Sequence, residues 1–443
     1  MSKAKFRIKR IAEWAKTALI VLLTASALLL AWRTGLFRDF IGSVPFFGNV
    51  ADLVRGATGA AEPVGTVIKE AARPLCIVIT NEAGGRFGAK YDTDVRDAIY
   101  EMTSSIIGEA LGSASEPAGI TEDEWREALS GAGVYFEYIT PVRLSVLAGW
   151  LGQLLPETVR DAPLRRIFIA FSEDRSRLYY QDHEGGGFFG ADTASAAGKA
   201  QGIDEYGSNG VLFAFETGIA GSASAPYMPL MSDREYRDVQ PAPAGSPEQL
   251  LGLVLTTFGH INESSTTYQS GGALVCVGTQ FNIRAFPDGR VVYRRTDVEV
   301  AQAGTEAPDA KTPDADAPDR SSGEMIEQAR ALIADSIGKV CGSANAAFES
   351  FESEGVYASV YFGYHLAGGR VFLNEERYAA RVSFVSGVVA EVEMNFRNYT
   401  FTEEYTRLLP EKQALAAAGG EFLLCYADAG TDVINPAWVV FGF

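Results

Sequence analysis

The chain is short of the side chains that most often carry chemistry. Three histidines and four cysteines occur in 443 residues. His183, His260 and His365 are widely separated, and there is no His-Glu-x-x-His run to hold a catalytic zinc. Cys76, Cys276, Cys341 and Cys425 form no Cys-x-x-Cys pair, which argues against a structural zinc module. Cys76, Cys276 and Cys425 each sit in an apolar, strand-like run, where a free thiol behaves as a small hydrophobe. An even count permits bridges outside the cell, and Cys341–Cys425 is the one pair within a single region.

The serine and phosphate motifs are missing as well. The GSASA run at Gly221 lacks the closing glycine of a nucleophile elbow. The GGRFGAK run at Gly84 lacks the Lys-Ser/Thr of a phosphate loop and reads as a turn. Asp92, Asp94 and Asp97 lack the glycine and final glutamate of a calcium loop, and they suit the positive end of a helix. Any two of the 56 acidic residues can meet in space, so a glycosidase pair is not readable from sequence. These absences point to a protein that is not an enzyme and needs no cofactor or metal, with an unrecognised wall hydrolase as the outlying reading.

What is present lies first at the N-terminus. Six Lys and Arg in residues 1–16 face only Glu13, a net charge of +5. The chain as a whole carries −18, so the remainder carries −23 and offers no clustered basic face for nucleic acid. Residues 17–32, TALIVLLTASALLLAW, contain no charge. As a helix they span about 24 Å at 1.5 Å per residue, close to a hydrocarbon core of about 30 Å. Trp14 and Trp32 stand where aromatic rings favour the interface, and Lys16 and Arg33 can snorkel outward. The excess of basic residues places the N-terminus in the cytoplasm. No second apolar span follows, so the bulk is expected outside, on a single-pass anchor. A removable signal peptide is the competing reading, but the small-x-small run at Ala25–Ala27 lies within the apolar stretch and RTGLFRDF after it is no cleavage site. Thr17, Thr24, Ala27 and Ala31 share one side of this helix. Small residues there allow another membrane helix to approach, although such residues are also common in any anchor.

Patterning divides the rest. Residues 34–74 read as an irregular stalk. Residues 75–220 read as a first α+β domain: a strand at PLCIVIT, a helix from Asp92 to Leu111, a capping box at Thr121, and strands at GVYFEYIT, RRIFIAF and RSRLYYQD. VRLSVLAGWLGQLL reads as a helix running to Pro156, VLFAFETG as a strand and Ala223–Pro247 as loop. Residues 221–300 read as a second region, with a Ser246-capped helix and a hairpin turned by Pro287-Asp288-Gly289. Residues 301–323, rich in Ala, Asp and Pro, read as a flexible linker. Residues 324–443 read as a compact α+β domain: a helix extending to Gly342, an antiparallel meander broken at Gly368-Gly369 and Ser386-Gly387, a helix and two strands. The fold class is α+β: one transmembrane helix and two or three extracytoplasmic domains with antiparallel sheets.

Several blocks resemble the YycH-type regulatory proteins of two-component systems. They are WAKTALIVLLTASALLLAWRTGLF, GVYFEYITPVRLSVLAGWLG, the LLGLVLTTFG helix with the FPDGRVVYRRTD hairpin, and RLLPEKQALAAAGGEFLLCYADAGTDVINPAWVVF. The last block, with Tyr426, Pro436, Ala437 and Trp438, is similar to the C-terminal domain shared by YycH and YycI. The 301–323 segment departs from the pattern. The resemblance implies an extracytoplasmic accessory that adjusts a sensor histidine kinase of the cell-wall pathway, partly through membrane-helix contacts, beside a sibling YycI-like membrane protein. It supplies no catalytic residues. An envelope-assembly or ligand-capture protein without kinase contact is the alternative.

Overall fold

Two sheets organise the chain, and each is built from strands whose alternation sends side chains to opposite faces. The computed structural model describes residues 68–172, 175–194, 202–298, 321–374 and 378–441, which belong to one compact unit. The architecture is mixed α+β and rich in antiparallel sheet. Among the described residues no helix is long and apolar enough to cross a membrane.

The first sheet takes β1 (Cys76–Thr80), β2 (Arg86–Ala89), β3 (Ala118–Ile120), β4 (Gly133–Arg143), β5 (Pro163–Phe171), β6 (Ser176–Asp182) and β7 (Phe188–Thr193) in the order 2-1-4-5-6-7-3, all antiparallel. Both faces of its centre are covered. Ile77, Ile79 and Phe136 pack under α1 (Thr93–Gly112) and α3 (Leu144–Trp150). On the opposite face, Val78, Tyr135 and Phe168 pack against α2 (Glu122–Ser130) and Phe213. The Asp92 carboxylate caps α1 on the Val95 amide at 3.2 Å, and Thr121 and Glu124 close a capping box on α2. Such caps are each worth about 1 kcal/mol. The third helix is shorter than its apolar run suggests: it stops at Trp150, and Gly152 follows with φ +71°. The expected strand VLFAFETG survives only as β8 (Leu212–Phe213), which pairs with β9 (Pro229–Leu230) before a 3-10 turn over Ala214–Glu216.

The second sheet has eleven strands: β11 (Thr266–Ser270), β12 (Ala273–Val277), β13 (Phe281–Ala285), β14 (Arg290–Arg295), β15 (Asn345–Glu354), β16 (Tyr357–Leu366), β17 (Gly369–Leu373), β18 (Ala380–Val385), β19 (Val388–Asn395), β21 (Phe422–Asp428) and β22 (Pro436–Val440). The order is 11-12-13-14-19-18-16-17-21-22, with β15 on the other side of β16. β14 pairs with β19, so strands from either side of residues 301–323 enter one sheet. The C-terminal strands are not a pure meander, because β17 and β21 run parallel. Hairpin turns fall at Ala367-Gly368 and Ser386-Gly387, with φ of 46° and 74°, and of 49° and 73°. That mirror-image geometry matches the twist of the strands it joins. The Pro-Asp-Gly turn also forms. Gly289 is required there, because its φ is +91° and a Cβ would lie 2.4 Å from the Phe396 carbonyl oxygen.

Residues 223–247, read from sequence as loop, contain β10 (Glu235–Pro243), which pairs with β20 (Arg397–Arg407) as a two-stranded ribbon. Among the remaining helices, α4 (Pro247–Thr257) is capped by Ser246, and α5 (Ser322–Asp335) by a box between Ser321 and Glu324. α5 ends before a 3-10 turn at Ile337–Lys339, so the helix does not reach Gly342. α6 (Glu411–Ala418) follows Pro410 and stops at Gly419 in the left-handed region. All four cysteines are buried and free, so Cys341 and Cys425 are not bridged.

Candidate functional site

The two sheets meet along a seam of buried charge. Glu137 on β4 and the adjacent Arg165 and Arg166 on β5 are interior residues of the first sheet. Arg165 binds Glu421, just before β21, through two hydrogen bonds of 2.8 and 3.2 Å, and Arg166 donates to the same carboxylate at 2.7 Å. Arg166 also donates to Glu137 at 3.1 Å. Two guanidinia thus meet two carboxylates, and each charge has a partner, as burial demands. Burial alone would raise the Glu421 carboxyl, but Arg166 and Arg165 outweigh it and hold the group at about 2 against an ordinary 4.5. His183 is held below its ordinary value by burial and then by Arg165 and Arg166.

A second knot lies at α6. Glu411, buried, accepts from the Tyr91 hydroxyl and the Met231 amide, with the Lys90 ammonium 3.8 Å away and also buried. Burial, then Glu411, pushes the Tyr91 phenol well above its ordinary value. Gly368 closes the seam: a Cβ there would sit 2.5 Å from the Lys90 carbonyl oxygen.

Beside these knots lies a cleft of about 520 Å³, within the usual size of ligand pockets. One wall is the Lys69–Ala72 turn, the start of α1 and β4; the other is α5, residues 341–348 and the β16–β17 turn. The walls are pinned where the Thr140 hydroxyl donates to the Phe348 carbonyl at 3.3 Å and the Trp150 indole donates to Glu327 at 3.3 Å. Arg73 and Arg96 share one carboxylate, Asp97, at 3.2 and 2.9 Å. Arg330, on the opposite wall, is held by Glu327 at 2.7 Å. The Arg73 Nε and the Tyr138 hydroxyl are buried and have no hydrogen-bond partner among the described residues.

The residues singled out from sequence do not assemble here. Thr17, Thr24, Ala27 and Ala31, and Trp14, Lys16, Trp32 and Arg33, lie outside the described residues. His260 is held by Glu263 at 2.8 Å and Tyr293 at 3.1 Å, His365 borders the cleft 3.9 Å from Glu349, and His183 stands with Arg165. Asp92 is a helix cap and Asp97 an ion-pair partner. The Gly84 run is a turn tied by the Asn81 side chain to the Gly85 amide at 2.7 Å. Burial raises the thiols of Cys76 and Cys341 and pushes that of Cys425 to about 12, which leaves them protonated and poor nucleophiles. Among the described residues no group of three or more His, Cys, Asp or Glu is arranged to hold a metal. Sequence reading missed both the seam and the cleft. Its one available signal was charge inside apolar strands, Glu137 in GVYFEYIT and Arg165-Arg166 in PLRRIFIAF.

No protein-family model matches the chain, and no curated protein matches it. Among solved structures it is similar to the crystal structure of YycH from Bacillus subtilis, at 11% identity over 84% of this chain and 95% of that one, with a TM-score of 0.48.

Proposed function

We propose that the chain is a membrane-anchored extracytoplasmic accessory protein that modulates a sensor histidine kinase of cell-wall-related two-component signalling. Its contacts are protein–protein and helix–helix, made to the kinase, to a sibling YycI-like membrane protein, or to both. The observation that carries this reading is the order of the N-terminal sequence: a basic tail, an uncharged run with small residues along one side, then a body of net charge −23. The sequence blocks similar to YycH-type regulators support it. A non-catalytic role is supported by the use made of the buried charges, which are paired with one another in the seam. The physical means is population shift, in which the anchor binds one kinase state better than the other. Ligand capture without kinase contact is a second reading, favoured by the cleft.

The test replaces residues 17–33 with an unrelated single-span helix of equal length in the full chain. Kinase output is then read through phosphorylation of its response regulator, with abundance and orientation of the variant checked. Loss of regulation is expected. Full regulation by the swapped chain overturns the helix-contact reading, and an unchanged output on deleting the whole chain overturns the kinase reading itself.

A further inference from the structure

We propose that the cleft between β4 and β15 is a binding site for a short extended peptide with a free C-terminal carboxylate. The inference goes beyond the kinase reading and does not depend on it.

Backbone is the first argument. Residues 345–348 of β15 all border the cleft. Alternate strand residues point to opposite faces, so consecutive residues border a space together when a strand edge is turned toward it. β15 pairs only with β16, so its other edge carries no strand among the described residues. The facing wall has the same character. β1 begins its pairing with β4 at Cys76 opposite Glu137, so Tyr138, Ile139 and Thr140 continue beyond the end of β1, and all three border the cleft. Among the described residues no strand pairs with either edge there, and the two face one space, joined where the Thr140 hydroxyl donates to the Phe348 carbonyl; of the β4 carbonyls, that of Tyr138 already accepts from Arg165 Nε at 3.4 Å. An extended main chain is the ligand that satisfies such edges, by strand addition.

Charge is the second argument. Three arginines and two carboxylates line the cleft, in a chain whose net charge is −18. Among the described residues Arg73 and Arg96 have only Asp97 between them as a bonded carboxylate. A guanidinium recognises a second carboxylate readily, because its fork of donors matches two oxygens. The Tyr138 side chain is 4% exposed, and its hydroxyl has no partner among the described residues. Together with the Arg73 Nε it supplies donors at the same wall. Leu75, Ile139, Trp150 and Phe348 give the space apolar surface for side chains.

The experiment uses the full-length chain in detergent, with a randomised tetrapeptide library bearing free C-termini and the same library amidated at the C-terminus. Retained peptides are read by mass spectrometry and their affinities by titration. The expected result is retention of free-acid members, at least tenfold weaker binding of their amides, and at least a tenfold loss in Arg73→Leu. Arg73 is partly exposed, so its replacement should fold; a second variant, Asn345→Trp, obstructs the cleft from an exposed rim position and should abolish retention. Equal retention of both libraries, or binding unaffected by both variants, overturns the proposal. If acetate or inorganic phosphate binds while no peptide is retained, the cleft is an anion site and the extended-ligand assignment fails.

Discussion

Replacing Glu421 by Gln keeps the shape and removes the charge that both Arg165 and Arg166 require. The Arg165 and Glu421 side chains are 4% and 11% exposed, and that of Glu137 is 2% exposed, so water replaces little of the lost interaction. The variant leaves two buried guanidinia with one carboxylate. Breaking a buried ion pair from one side costs about 3–5 kcal/mol. A carboxyl held at about 2 instead of 4.5 contributes a similar amount, about 3 kcal/mol at 1.36 kcal/mol per pH unit. With an unfolding entropy of about 2.1 cal/mol/K per residue, that loss lowers the melting temperature of a chain this size by roughly 3–4 °C. Because the folded carboxyl titrates below the free one, its contribution is complete above about pH 4.5 and drains away as the pH falls toward 2. The assay is thermal unfolding of wild type and Glu421→Gln at pH 7, 4.5 and 3. The gap should be full at pH 7 and narrower at pH 3. A melting temperature within 1 °C of wild type at pH 7 refutes the claim that this pairing holds the two sheets together, and a gap that ignores pH refutes its electrostatic origin.

Two further outcomes test the packing. Gly368→Ala combines a left-handed backbone of φ +74° with a Cβ 2.5 Å from the Lys90 carbonyl oxygen, so it should cost about 2 kcal/mol or more. Gly149→Ala, on an exposed part of α3 with open space around it, should stabilise by about 0.5–1 kcal/mol, and denaturant midpoints that rank the two the other way contradict the model of the seam. Titration with a thiol reagent should find four free cysteines in the denatured, unreduced chain and almost none in the native one, whereas two missing thiols would reveal a bridge.

Local signals were readable in the sequence. Thr121 and Ser246 announce their helices because a cap is made within four residues, and Pro287-Asp288-Gly289 announces its hairpin because the turn chemistry is self-contained. Pairing between distant segments was not readable. β10 contains Pro241 and Pro243 and looks like loop, yet it forms a two-stranded ribbon with β20, and the isolated bridge on its outer side falls at Val239 with Ile434, not at the prolines, so the missing amides cost little. β17 finds β21 in parallel across the 48 residues that separate the two strands, for which no local pattern exists. The same holds for β14 and β19 across the Ala/Asp/Pro segment. The seam was hidden for the same reason: Glu137, Arg165, Arg166 and Glu421 are scattered over almost 300 positions, and only folding makes them neighbours.

The position of the chain's path past the cleft joins the two proposals. The described body begins at Ile68, whose amide donates to the Trp150 carbonyl at 2.8 Å. The next residue, Lys69, accepts from the Tyr100 hydroxyl at 2.7 Å, and Arg73 binds Asp97. These contacts hold the segment that follows the N-terminal sequence, and the same segment supplies one wall of the cleft. A ligand that engages Arg73 therefore acts on the part of the body nearest in sequence to the proposed anchor, residues 17–33. A differential of about 1.4 kcal/mol between two placements of this segment changes their ratio tenfold, a change on the scale of one or two of the contacts just named. Arg73→Leu is then expected to alter kinase regulation as well as peptide retention, while Gly149→Ala, also in the first half of the body but outside the cleft, changes neither. If Arg73→Leu abolishes retention and leaves regulation intact at native abundance, the cleft works independently of the proposed anchor.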